Sequence, residues 1–202
     1  GATCSTPNRL RFTTGARRKQ WHRNCVAVGL SSGFMEPLES TSIHLIQRAV
    51  LRLIRMLPSG ERVSQRDIDE FNDQQLTDMD QIRDFLILHY KVTQRRDSPF
   101  WRQCAAMEIP DSLRQKIELF RETGRVFRKN EELFAENSWV QVMMGQGLMP
   151  ETYHPVATKM SSEEMERFLG TLRANVSRTV AGLPEHHAFV KRYCGAKQTE
   201  AA

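Results

Sequence analysis

From residue 41 onward, apolar residues recur three and four positions apart. Ile43, Ile46, Val50, Leu53, Ile54 and Leu57 fall on one stripe of a helical wheel, and His44, Gln47, Arg48, Arg52 and Arg55 lie elsewhere on it. That is the pattern of an amphipathic helix. Ser40 or Thr41 can cap its start, and Pro58 and Gly60 end it. A second helical region is predicted over 64–92, carrying Ile68, Phe71, Leu76, Met79, Ile82, Phe85, Leu86 and His89, with a break near Asn72. Asp97 to Trp101 reads as a loop. A third helix is expected from Pro110 to Gly124, and a fourth over 130–144, stopping at Gly145-Gln-Gly147. Ser161-Ser-Glu-Glu164 has capping-box spacing and opens a long helix to about Ala181; a short last one follows Pro184.

Only the N-terminal end breaks this helical pattern. Cys25-Val-Ala-Val-Gly29 is a short β-branched run ending in glycine, the signal of a buried strand. Leu30 to Gly33 is a turn, and Pro37 bars helix in the following loop. A lone strand leaves its backbone groups unpaired. The Cys25–Gly29 run is therefore expected to join a sheet built by residues outside this sequence. With no internal repeat and no linker, the rest reads as one continuous unit.

Composition narrows the picture. The 202 residues are 40% hydrophobic, enough for one domain with a core. Apolar runs are interrupted by Arg, Asp or His, so no membrane span is expected. There is no leader-like apolar segment at the start, and the chain begins with Gly rather than Met, as an excised piece or a processed start would. The net charge of +5 is dispersed, with one tight basic cluster at Arg17, Arg18 and Lys19, which argues against a nucleic-acid reader. The four cysteines form no CxxC and the six histidines no HExxH, so no metal is expected and a cytoplasmic location is the simplest reading.

Residues 21–46 carry the chemistry. A strand, a small-residue turn and two carboxylates, Glu36 and Glu39, lead into a helix start at Thr41-Ser42. The first amides of a helix lack intrahelical acceptors, and the macrodipole adds about 0.3–1 kcal/mol of preference for an anion there. By itself this pattern is more often a capping or solvated glutamate than an anion site. His89 and Tyr90 read as core residues closing a helix, and Phe100 and Trp101 as core aromatics.

The run from Asn24 to Ser42, NCVAVGLSSGFMEPLESTS, resembles the C-terminal signature of flavin-dependent tryptophan halogenases. Asp84 to Tyr90 (DFLILHY), Ser98 to Trp101 (SPFW), Ser138-Trp139 and Gly145-Gln-Gly147 resemble further family motifs in the same order. The resemblance implies a mostly α segment: a C-terminal helical substrate-binding part plus one or two strands of a larger α/β flavin-monooxygenase-like fold. Residues 1–40 would end the flavin-binding sheet and carry the loop after it, and 41–202 would form the helical substrate side. The implied chemistry is that reduced FAD, supplied by a separate flavin reductase, reacts with oxygen and chloride or bromide to give hypohalous acid, which halogenates an aromatic small molecule.

Residue by residue, the resemblance makes Glu39 the substrate-side catalytic carboxylate, with Glu36 a weaker candidate. It places the halide at the backbone of Thr41 and Ser42, where Ser42 replaces a common glycine but keeps its N–H. Leu30 and Ile43 would line the flavin. Two negative charges this close require Glu39 to point away from the halide. Phe134 and Trp139 would line the substrate. The Tyr-Tyr pair of members acting on free tryptophan is absent near Gly145, where this chain has Phe134, Glu136, Ser138, Trp139 and Val140. An indole-like or phenolic arene, or a larger tailored substrate, is therefore expected in preference to free tryptophan. The Gly-rich dinucleotide fingerprint, the Trp-x-Trp-x-Ile-Pro motif and the family's lysine are not found in the chain, so alone it is expected to be inactive. A flavin monooxygenase of the same fold, or a non-catalytic helical binding module, are the alternatives.

Overall fold

A computed structural model describes residues 6, 8–58, 60 and 62–195. The chain divides into two compact units, Gly1–Tyr153 and His154–Ala202, a boundary that the expectation of one continuous 41–202 unit did not draw.

The first unit opens with two minimal antiparallel pairs. Strand β1 (Gly15–Ala16) pairs with β4 (Gly33–Phe34), and β2 (Trp21–His22) pairs with β3 (Cys25–Val26). The expected Cys25–Gly29 strand is thus corrected. It is two residues long and finds its partner within the chain, and the Ala27 amide adds a bond to Gln20 O at 2.7 Å. It stops because Gly29 turns to φ +68° and starts a 3₁₀ turn over Gly29–Ser31. Unpaired strand groups therefore give no argument for a missing sheet.

Helix α1 (Ser42–Arg55) is amphipathic, as its period predicts, but its orientation is the reverse of the usual one. Ile43, Val50, Leu51, Ile54 and Leu57 are exposed, and Ala49 and Arg52 are buried. The cause is electrostatic. Asp78 of helix α2 (Gln65–Lys91) accepts from Arg48 Nε at 3.0 Å and Arg52 Nη2 at 2.9 Å, and Gln74 Oε1 accepts from Arg52 Nε at 2.7 Å. Arg52 also donates to Gln75 Oε1. The arginine face is bound to α2, so the apolar stripe faces outward.

Helix α2 is continuous for 27 residues and has no break near Asn72. The polar residue that suggested a break spends its side chain on a tertiary contact. Asn72 Oδ1 accepts from the amides of Gln20 (2.7 Å) and Trp21 (2.8 Å), and Nδ2 donates to Trp21 O (2.9 Å). This ties the N-terminal hairpin to α2. Around it, Trp21, Ala49, Ile68 and Phe71 form a small core, with Trp21 edge-on to Phe71 at 5.4 Å.

The expected loop at Asp97–Trp101 instead begins helix α3 (Pro99–Ala106), with Ser98 as N-cap and Pro99 in its first turn. Lys91 Nζ donates to Ala105 O (2.9 Å) and Met107 O (2.7 Å), fastening the end of α3 to the end of α2. Helix α4 (Asp111–Thr123) matches its prediction. Helix α5 (Glu136–Gly145) starts later than the predicted 130, because Asn130 takes φ +59° and Glu132 turns inward to Lys116 Nζ at 2.9 Å. Phe85, Leu88, Leu113, Ile117, Phe120, Trp139 and Met143 join α2, α4 and α5 in the main core.

The second unit contains α6 (Ser162–Ala181) and α7 (His186–Tyr193). The capping box forms as predicted: Glu164 N donates to Ser161 Oγ at 3.2 Å, and Ser161 N to Glu164 Oε2 at 2.8 Å. Phe168, Leu172, Val176 and Val180 of α6 are exposed. No helix among the described residues is long and apolar enough to cross a membrane.

Candidate active site

The loop 35–41 runs between β4 and α1 and carries both glutamates. Pro37 leads into a 3₁₀ turn over Leu38–Ser40, inside which Glu39 has φ +63° and ψ 1°; Ser40 follows at φ +50°. Left-handed backbone at two consecutive non-glycine residues costs about 1–3 kcal/mol each and persists only where surroundings enforce it.

The enforcing contacts come from neighbouring residues at the end of α2. Tyr90 Oη donates to Glu36 Oε2 at 2.9 Å, and His89 Nε2 lies 3.1 Å from Glu39 Oε1. Two successive α2 side chains therefore hold the two carboxylates of one loop. Burial, followed by the Glu36 carboxylate, pushes the Tyr90 phenol above its ordinary value, so it stays a donor at neutral pH. By sequence His89 and Tyr90 read as core residues, because a sequence shows their position on a helix but not a partner 50 residues away.

His89 and Tyr90 also line a cleft of about 570 Å³ with Leu38, Gln94, Arg95 and Trp101. Tyr90 and Trp101 stack at 6.1 Å and 19°, and Arg95 sits 4.4 Å over Trp101. Phe100 and Trp101 were expected in the core. Instead Phe100 is exposed and Trp101 forms part of this wall. On the other side of Tyr90, Glu36 borders a larger apolar groove with Met35, Met79, Leu86 and Phe100, where its Oε1 is buried without a partner.

Thr41 is buried and N-caps α1 without a side-chain bond to the helix. Among the described residues, no protein acceptor takes the amides of Ser42, Ile43 or His44, and the Leu45 amide is the first to bond back, to Thr41 O at 3.0 Å. The halide candidates thus stand at an open helix N-terminus, the part of a helix suited to an anion. Leu30 and Ile43 are 73% and 71% exposed on elements that pack together, so the two form an apolar edge. Glu39 lies against His89, on the α2 side of the loop.

The two aromatic candidates sit apart from this cluster. Trp139 is 1% exposed in the main core, 4.9 Å from Phe85 and under Lys116 Nζ at 3.9 Å. Phe134 stacks on Phe85 at 3.8 Å. Both are packing residues here, so the structure gives Trp139 no open face for a ligand.

The loop and helix start bring together in sequence a carboxylate held against His89 and a helix end with unbonded amides. The tryptophan halogenase family model matches residues 1–162, and the chain belongs to that family. A flavin-dependent halogenase from Xanthomonas campestris, Xcc4156, is 54% identical with TM-score 0.90, over 96% of this chain and 39% of its own. BrvH, a flavin-dependent halogenase from Brevundimonas sp. BAL3, is 43% identical with TM-score 0.87, over 94% of this chain and 38% of its own. The tryptophan 6-halogenase ThaL of Streptomyces albogriseolus is 32% identical over 94% of this chain. The chain spans 38% of that relative's length.

Proposed function

We propose that this chain is the helical, substrate-side part of a flavin-dependent halogenase acting on an electron-rich arene. The observation that carries the reading is the junction of loop 35–41 with α1: an anchored carboxylate on the α2 side and unbonded helix amides next to it in sequence. When bound, reduced FAD supplies, with oxygen and chloride or bromide, the oxidant that becomes hypohalous acid. This chain's share is to hold the halide at the Thr41–Ser42 backbone, to offer Leu30 and Ile43 to the flavin, and to place Glu39 at the arene. There the carboxyl orients the electrophile and takes up the proton lost from the ring. The cleft wall of Tyr90 and Trp101 offers a flat surface for an aromatic ring. FAD would come from a separate flavin reductase.

An indole-like or phenolic arene is the substrate we favour over free tryptophan. Glu136 is exposed and Ser138 half-buried on α5, and Trp139 is enclosed, so this helix offers few fixed groups to an amino-acid backbone. A site that does not pair those groups gains little from them. The monooxygenase and binding-module alternatives draw no support from the relatives above, each of which is named a halogenase.

The test is Glu39→Gln in the full-length protein. Arene halogenation falls by about 10²–10⁴-fold, the usual contribution of a positioned acid–base group, and flavin affinity is unchanged. Turnover near wild type, or collapse of flavin binding, refutes the assignment.

A further inference from the structure

The His89 ring has a fixed hydrogen inventory. Its Nδ1 lies 2.8 Å from the Phe85 carbonyl oxygen, which only accepts, so Nδ1 carries a hydrogen. Its Nε2 lies 3.1 Å from Glu39 Oε1. If the ring were neutral and Glu39 a bare carboxylate, two lone pairs would face each other across that distance. The contact is a hydrogen bond only with one proton between Nε2 and Oε1, written either as imidazolium and carboxylate or as imidazole and carboxylic acid. The ring is held for this role by Phe85, edge-on at 4.9 Å and 88°, and its side chain is 18% exposed. Of the titratable groups that line the same cleft, Tyr90 donates to Glu36 at 2.9 Å and Arg95 pairs with Asp97 at 2.7 Å.

Building on the halogenase reading, we propose that His89 is the proton partner of Glu39, a positioning residue that lets the carboxyl act first as an acid and then as a base. The overall step is Ar–H + HO–X → Ar–X + H₂O. As the arene carbon bonds the halogen, the O–X bond breaks and its electron pair stays on oxygen. The shared proton passes through Glu39 to that oxygen and gives water. The halogenated carbon then releases its hydrogen as a proton to the Glu39 carboxylate, and the C–H electron pair restores the aromatic ring. The proton settles again between Glu39 and His89, so the pair is unchanged over the cycle and no electron is drawn from it. Without His89, Glu39 meets the oxidant as a bare carboxylate, able to serve the second half only. The Phe85 carbonyl makes the cycle directional, because it keeps the Nδ1 hydrogen out of the exchange.

The experiment uses the full-length protein with His89→Gln, Glu39→Gln and wild type. Glutamine can still donate a hydrogen bond to Glu39 but cannot give up or take a proton. Three quantities are measured: arene halogenation, hypohalous acid captured by a small diffusible scavenger, and the isotope effect with a ring-deuterated arene. For His89→Gln we expect scavenger halogenation and KM as in wild type, kcat on the arene lower by about 10²-fold, and no primary isotope effect, because the slowed half precedes C–H cleavage. His89→Gln halogenating the arene at the wild-type rate, or more slowly but with a primary isotope effect that wild type lacks, while Glu39→Gln is inactive, overturns the proposal and leaves the halogenase reading standing. Glu39→Gln halogenating normally overturns both. Should His89→Gln not fold, ¹⁵N-histidine NMR of the wild-type protein decides: a protonated Nδ1 together with a hydrogen bond between Nε2 and Glu39 supports the pair, and a bare Nδ1 or an Nε2 without that bond refutes it.

Discussion

Replacing Asn72 by alanine tests the tether between the N-terminal hairpin and the helical body. Asn72 is 8% exposed, and its partners Gln20 and Trp21 are 2% and 3% exposed. The substitution strips two backbone amides and one carbonyl of their partners. Each buried group left unpaired costs about 1–3 kcal/mol. Water entering the vacated space recovers some of that, and the three losses are not additive, so a net of about 2–4 kcal/mol is expected. At 1.4 kcal/mol per tenfold, the Gln20 and Trp21 amides should exchange about 30- to 700-fold faster. Hydrogen exchange on the full-length protein reads this locally, with α4 amides as an internal control that stays unchanged. Asn72→Asp keeps the acceptor and loses the donor to Trp21 O, so it should fall between wild type and Asn72→Ala. The hairpin leads straight into the 29–41 segment, so Asn72→Ala should also lower arene halogenation by loosening Glu39. Exchange at Gln20 and Trp21 accelerated by less than about fivefold, equivalent to 1 kcal/mol, would refute the tether.

Other consequences follow from the same structure. Burial, with Arg48 nearby and opposed by Asp78, pushes the His44 imidazole below its ordinary 6.5. The unfolded chain then binds more protons than the folded one, so stability falls as pH drops through 6.5 toward the lower folded value, and His44→Gln should flatten that part of a Tm-versus-pH curve. Gly147 ends α5 at φ +85°, where a Cβ would collide with the Gln94 side chain; Gly147→Ala should cost about 1–2 kcal/mol, read as a lower denaturation midpoint. The 202-residue chain produced alone should self-associate and not retain flavin, because Ile43, Leu51, Ile54 and Leu57 stand exposed; a monodisperse yellow monomer in light scattering would contradict this.

The periodic helices, the Ser161 capping box and the ordered motifs of the family were legible from the residues alone. Each depends on residues within a few positions of one another, where spacing maps directly onto a helix face or cap. Glu39 and the Thr41–Ser42 helix start were legible too, because a rare short run carries them. Three features were decided only by tertiary structure. The α1 stripe faces out because Arg48 and Arg52 find Asp78 thirty and twenty-six residues away, and a wheel shows amphipathicity without saying which face is bound. Helix α2 runs unbroken because Asn72 spends its polar groups on Trp21, fifty-one residues off, rather than on its own backbone. The carboxylate partners were hidden for the same reason. His89 and Tyr90 meet Glu39 and Glu36 only when the end of α2 is brought against a loop whose strained backbone those contacts hold in place.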